Sequence, residues 1–197
     1  GHNADIIAKK AADEGTLVHE TIERYLNGEE ISWVNSKGNA RYSLEAWKMI
    51  LKFVDFWTTH KPKLIKAEEH LFSDKYAYAG TADIICEIDG EIWVLDIKTS
   101  NSLHTSYDLQ LASYLQAWNE CYEEKATRAG ILWLKSKSRG EDKTGKKIKG
   151  KGWEINESKR SNEENLLLFL KVYDLFKTEN PNPKPIFESF PLKVQLK

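Results

Sequence analysis

Between Gly80 and Tyr114 the chain reads GTADIICEIDGEIWVLDIKTSNSLHTSYDLQLASY, with Asp89-Gly90 near its middle. Asp-Gly flanked by alternating apolar residues is the short-range signature of a hairpin closed by a type I′ turn. If Ile88 faces Glu91, residue numbers across the ladder keep a constant sum and Asp83 falls opposite Asp96. Directly opposed side chains have Cβ atoms ~5 Å apart, where like charges repel. Lys98, two residues beyond Asp96, emerges on the same face because strand side chains alternate with period two. Two acids and an ammonium gathered at one sheet edge make physical sense around a divalent cation.

Other residues of the right chemical types flank this pair. His19 closes the run Gly15-Thr-Leu-Val-His19, Glu68 and Glu69 sit on the preceding predicted strand, and Gln110 and Tyr114 follow the hairpin. Gln110 and Tyr114 lie at i and i+4, on one helical face. Glu68 and Glu69 point to opposite faces of a strand, so a slip of one residue exchanges them.

The elements that must position these groups are legible from periodicity. An amphipathic helix runs from about Asp5 to Leu26, with Leu17, Val18, Ile22, Tyr25 and Leu26 in a stripe and Gly15 a point at which it divides. Ser43 N-caps a second helix, carrying Trp47, Ile50, Leu51, Val54 and Trp57, that stops at Lys61-Pro62. Strands follow over 64–72, 76–88 and 91–99, then a helix over 106–122. Ala129 to Lys135 and Trp153 to Asn156 read as two more strands. Ser161 with Glu164 forms a capping box for a final helix whose apolar residues include Leu167, Leu170, Tyr173 and Leu175. The three prolines of 181–185 exclude helix there, leaving 180–197 extended. This order predicts an α/β domain, a central mixed β-sheet flanked by helices.

Taken together, Gly-x-x-x-His, Gly-x-x-Asp, Asp-x-Lys-Thr and Gln-x-x-x-Tyr, in that order over Gly15 to Tyr114, resemble the PD-(D/E)XK nuclease superfamily. Within it they are similar to the RecB-type branch that includes phage and mitochondrial exonucleases. The resemblance implies a restriction-endonuclease-like core in which Asp83 and Asp96 bind catalytic Mg²⁺ or Mn²⁺. It implies His19 as a further ligand and the Ile97 carbonyl as a main-chain ligand. It also implies that Lys98 orients or helps deprotonate the attacking water, and that Glu68 assists a second metal. Gln110 and Tyr114 either hold Lys98 in place or contact the nucleic acid backbone. The implied activity is a DNA exonuclease of recombination, repair or phage DNA processing. The alternatives are a structure-specific or restriction-like endonuclease and an inactive nucleic-acid-binding module.

Composition sets bounds around this reading. At 197 residues, 41% hydrophobic and 11% aromatic, the chain reads as one domain over 1–197, with Gly1-His2 a scar of tag cleavage. Lys plus Arg number 29 against 30 for Asp plus Glu, so a polyanionic partner needs a local patch. The basic run over 136–152 supplies one, and Lys146, Lys147, Lys149 and Lys151 are its candidate phosphate contacts. Two cysteines, Cys86 and Cys121, without a framework suggest buried thiols in a reducing, cytoplasmic setting. No apolar run approaches the ~20 residues of a membrane span. His60, His70 and His104 read as structural or solvated. Trp33 and Trp153, near loops or strand ends, are the tryptophans placed to stack on an unpaired base.

Overall fold

The computed structural model describes residues 2–136, 144 and 150–181. Its elements are α1 (His2–Leu26), α2 (Leu44–His60), β1 (Lys63–Ser73), β2 (Tyr78–Ile88), β3 (Glu91–Lys98), α3 (Ser106–Cys121), β4 (Arg128–Trp133), β5 (Glu154–Asn156) and α4 (Asn162–Glu179). The five strands lie in chain order in one sheet, with β3 and β4 parallel and the other pairs antiparallel. This is the expected mixed α/β sheet flanked by helices. Among the described residues no helix is long and apolar enough to cross a membrane.

Each sheet face carries its own core. Val18 and Ile22 of α1 and Met49, Phe53 and Phe56 of α2 pack with Ile84, Cys86, Leu95 and Ile97. On the other face Leu111, Leu115 and Trp118 of α3 pack with Ile85, Val94, Ala129 and Ile131. Helix α2 begins at the Ser43 side chain, which accepts from the Ala46 amide, and ends at left-handed Lys61 (φ 48°) before Pro62. Helix α4 begins with the Ser161–Glu164 capping box.

Three expectations change, the first being the stripe of α2, where Leu51 is half exposed and Met49, Phe53 and Phe56 are the buried residues beside Ile50. Helix α1 runs unbroken through Gly15, because the residue is buried where a Cβ would meet Thr99 Oγ1 at 2.8 Å. Lacking that atom, the helix lies directly against the end of β3. On α4, Leu167 and Leu175 are more than half exposed instead of forming the packed face. The inward residues are Asn165, Phe169 and Tyr173, and Leu167 lies ~200° round the helix from Asn165. Three tertiary contacts of Tyr78 and Ala77 with Phe169 and Tyr173 seat α4 beside β2.

The hairpin turn has the predicted geometry, with φ of 52° at Asp89 and 82° at Gly90. Its ladder runs from Ile88↔Glu91 to Ile84↔Leu95, the register in which paired numbers keep a constant sum. Gly90→Ala is expected to lower stability by about 1–2 kcal/mol, because an L residue at this φ is strained. The check is a shifted urea midpoint with an unchanged m-value.

Candidate active site

The β2–β3 ladder stops one step short of Asp83 and Asp96. In place of a main-chain pairing, Asp83 Oδ2 accepts a hydrogen bond from the Ile97 amide at 2.6 Å. The strand alternation also breaks here. Ile84, Cys86 and Ile88 face α1 and α2, whereas Tyr78, Gly80 and Ala82, of the same parity, face α3. Asp83 sits at this change of phase. Opposite it on β1, Glu68 adopts a φ of 49°, between the paired positions Ala67↔Ile84 and Glu69↔Ala82. A left-handed glutamate inside a strand is a strained backbone, of a kind that clusters at functional sites.

The consequence is an acidic cluster facing α1. His19 Nδ1 lies 3.5 Å from Asp83 Oδ1, with side chains 27% and 12% exposed. One ligand atom each from His19, Glu68 and Asp83 fall within 4.8 Å of one another. Glu68, rather than its neighbour, therefore joins the cluster, while Glu69 accepts a hydrogen bond from the Tyr122 hydroxyl of α3. A cleft of about 480 Å³ opens over the cluster, and Glu20 and Glu23 of α1 add carboxylates to its wall.

The second half of the site faces α3. Asp96 is 4% exposed, and its Oδ2 lies 2.7 Å from Lys98 Nζ while accepting no aligned hydrogen bond. Lys98 Nζ donates to Gln110 Oε1 at 3.1 Å and sits 4.5 Å from the centre of the Tyr107 ring. Gln110 Nε2 donates onward to the Tyr114 hydroxyl at 2.8 Å. The ring of Tyr114 occupies the space over Gly80, where a Cβ would come within 2.5 Å of it. Both motif glycines thus have a steric reason: Gly15 lets α1 reach Thr99, and Gly80 lets Tyr114 reach the sheet.

Charge and burial perturb these groups together. Burial, then the neighbouring Asp83 charge, pushes the Asp96 carboxyl above the usual carboxylate range, against the pull of Lys98. Burial of the His19 imidazole opposes its protonation, but the Asp83 contact and the charges of Asp83, Asp96 and Glu68 outweigh it and raise its pKa. Burial and the nearby acid charges push the Tyr114 phenol up to about 12. Burial, then the charge of Asp83, also raises Glu68. Clustered, partly buried carboxylates that disfavour one another's charge are the donor set a hard divalent cation stabilises. The buried Asp96 Oδ2 without an aligned hydrogen bond fits the same group.

Other sequence candidates fall elsewhere. Lys146, Lys147 and Lys149 lie outside the described residues. Lys151 is exposed, its ammonium 4.7 Å over the Trp153 ring. Trp153 is buried with its Nε1 donating to Asp55, so it cannot stack on a base. Trp33 is 40% exposed but already stacks on Trp47 and donates to the Tyr42 carbonyl. His60 packs on Phe56 and Trp153 and His104 meets Tyr107, while His70, in contact with Thr81, lies near enough to Glu68 for its charge to oppose the rise of that carboxyl. Tyr107, Glu20 and Glu23 escaped the sequence reading. Their signal was helical spacing: Tyr107 precedes Gln110 by three, and Glu23 follows His19 by four.

The sequence profile of the PD-(D/E)XK nuclease superfamily matches residues 4–172. The chain belongs to that superfamily. As a PD-(D/E)XK member it is a nuclease, with nucleic acid as substrate and a divalent metal as the cofactor of its family. Among solved structures, one from Eubacterium rectale described as a candidate exonuclease is 12% identical, with a TM-score of 0.48 over 93% of this chain and 77% of that one. A second, SSO0001, is 14% identical, with a TM-score of 0.37 over 72% of this chain and 63% of that one. No curated protein matches the sequence.

If His19, Glu68, Asp83 and Asp96 form the nuclease's metal centre, Mn²⁺ stabilises the fold by mass action, about 2.7 kcal/mol at a hundredfold excess over Kd. Asp83→Asn is expected to abolish that gain while leaving stability in EDTA within about 1 kcal/mol of wild type. Thermal scans with and without Mn²⁺ measure both.

Proposed function

We propose that this nuclease is a metal-dependent DNA exonuclease of the RecB-type branch, acting on free ends in recombination, repair or phage DNA processing. The observation that supports it best is Lys98, its ammonium held between Asp96, Gln110 and the Tyr107 ring beside the acidic cluster. An ammonium of this kind is a compact point charge, suited to holding a water or a phosphate oxygen. Its three neighbours fix its direction before substrate arrives, which is how positioning contributes to rate.

Asp83, Asp96 and His19 would hold Mg²⁺ or Mn²⁺ together with the Ile97 carbonyl, and Glu68 would assist a second ion. Oxygen-rich donors suit both ions, and the imidazole favours Mn²⁺. When bound, the cation lowers the pKa of water and neutralises charge building on the scissile phosphate. The chain's own groups do the rest. Lys98 orients the attacking water, whose oxygen forms a bond to phosphorus as the bond to the departing sugar oxygen breaks. Gln110 holds Lys98, and the Tyr114 hydroxyl, accepting from Gln110 Nε2, holds Gln110 in turn; with its phenol raised, Tyr114 stays neutral. Asp83 ties the two halves of the site through the Ile97 amide. Lys146, Lys147, Lys149 and Lys151 would neutralise DNA phosphates, so binding weakens as salt rises.

The test is an assay on end-labelled linear and covalently closed circular DNA with Mn²⁺ and an EDTA control. Linear DNA alone is degraded under this reading, and cutting of closed circles would instead indicate an endonuclease. Lys98→Ala is expected to lower kcat by about 10²- to 10⁴-fold. Its circular dichroism should remain that of the wild type, since Lys98 serves chemistry rather than core packing. Full activity in that variant contradicts the role given to Lys98, whereas a wild type with no Mn²⁺-dependent cleavage leaves nucleic-acid binding as the surviving role.

A further inference from the structure

Behind the Gln110–Tyr114 pair, on the α3 face of the sheet, lies a second cavity of about 300 Å³ between β2, α3 and α4. Its walls include Tyr78, Leu109, Tyr114, Phe169 and Val172, and among the described residues no charged side chain lines it. Phe169 meets the Tyr78 ring edge-on at 4.9 Å and lies parallel to Tyr173 at 6.0 Å, so its ring is fixed on two sides. Gln110 belongs both to this cavity and to the support of Lys98.

From this continuity we propose that the cavity receives one unpaired nucleobase of the substrate strand, next to the phosphate that is cleaved. The proposal rests on the nuclease reading of the site and extends it to the substrate's form. Three observations favour a base over other occupants. The volume suits one planar ring system and is too small for a helix or a folded peptide. The walls are aromatic and apolar, with Ser106, Ser113 and the Gln110 amide as polar points, and aromatic stacking is how proteins hold bases without reading sequence. The lack of Lys or Arg among the described residues of the lining argues against a phosphate subsite. A base inside a duplex is paired and stacked and cannot enter, so the pocket selects single strands or frayed ends.

The test measures kcat/KM with Mn²⁺ on an end-labelled single-stranded oligonucleotide, placing an abasic analogue in turn at each nucleotide flanking the cleaved bond. One position is expected to lower kcat/KM by about 5- to 150-fold, the range of base–aromatic stacking. Phe169→Ala should bring the ratio of intact to abasic substrate close to one. Val172→Trp, at a residue 57% exposed, fills the cavity without emptying a core and should do the same, so it decides the matter if Phe169→Ala fails to fold. An abasic scan flat to within twofold in the wild type sinks the proposal while the nuclease reading stands. So does a wild-type penalty that both variants retain. If the wild type shows no Mn²⁺-dependent cleavage of any oligonucleotide, the functional reading fails and this proposal with it.

Discussion

A carboxylate takes the place of a backbone partner where two strands part. Asp83 Oδ2 accepts from the Ile97 amide at 2.6 Å, one step beyond the last ladder pair of β2 and β3. That bond lets the strands separate without leaving the buried amide of Ile97 unpaired, which would cost free energy comparable to a lost hydrogen bond. It also releases Asp83 from the alternation of its strand, so the side chain reaches His19 on one face while remaining beside Asp96 on the other. Without it the acids would belong to a regular hairpin and the site would face α3 alone.

Bringing acids together in a partly buried place is unfavourable by itself. Removing a carboxylate from water costs several kcal/mol unless it is paired and hydrogen-bonded. The protein sets two basic side chains of different character against this. His19 responds to the acids by holding its proton more firmly, so its charge follows theirs. Lys98 is pinned by a relay that ends on Tyr114. The residual disadvantage is visible in the raised Asp96 and Glu68 carboxyls and in the left-handed backbone of Glu68. Such unrelieved repulsion is what gives a bound divalent ion its leverage over the fold.

The sequence carried the local parts of this arrangement well. Asp89-Gly90 set the hairpin register, the 3.6-residue period gave the helices, and Gln110 and Tyr114 met Lys98 because i and i+4 share a face. The break in alternation at Asp83 was not legible, because it goes with a side chain taking the Ile97 amide and with a positive φ at Glu68 opposite, a residue whose type does not favour that conformation. The same break resolved Glu68 from Glu69, which strand parity left open. Gly15 read as an interruption of α1 because propensity is local, whereas the reason for the glycine is Thr99, 84 positions along the chain. The face of α4 was misjudged for a related reason. Apolar composition suggested Leu167, Leu170, Tyr173 and Leu175 as the packed face; the partner surface of Tyr78 kept Tyr173, added Phe169 and left Leu167 and Leu175 exposed.

The site is assembled from both sides of one sheet, and this divides responsibility for its geometry between two separate cores. Val18 and Ile22 hold α1, and with it His19, against Ile84 and Leu95. Leu115 and Trp118 hold α3, and with it Gln110 and Tyr114, against Ile85 and Val94. Only the ends of β2 and β3, carrying Asp83, Asp96 and Lys98, belong to both halves. A cavity opened in either core would therefore shift one half of the site relative to the other rather than move it as a unit. Misplacement of ~1 Å can cost ~100-fold in rate. Close approach at Gly15 and Gly80 limits that freedom, since helix meets Thr99 at one point and ring meets backbone at the other with no intervening side chain. The two glycines thus act from outside the cluster, by fixing how far each helix stands from the strands that carry the acids.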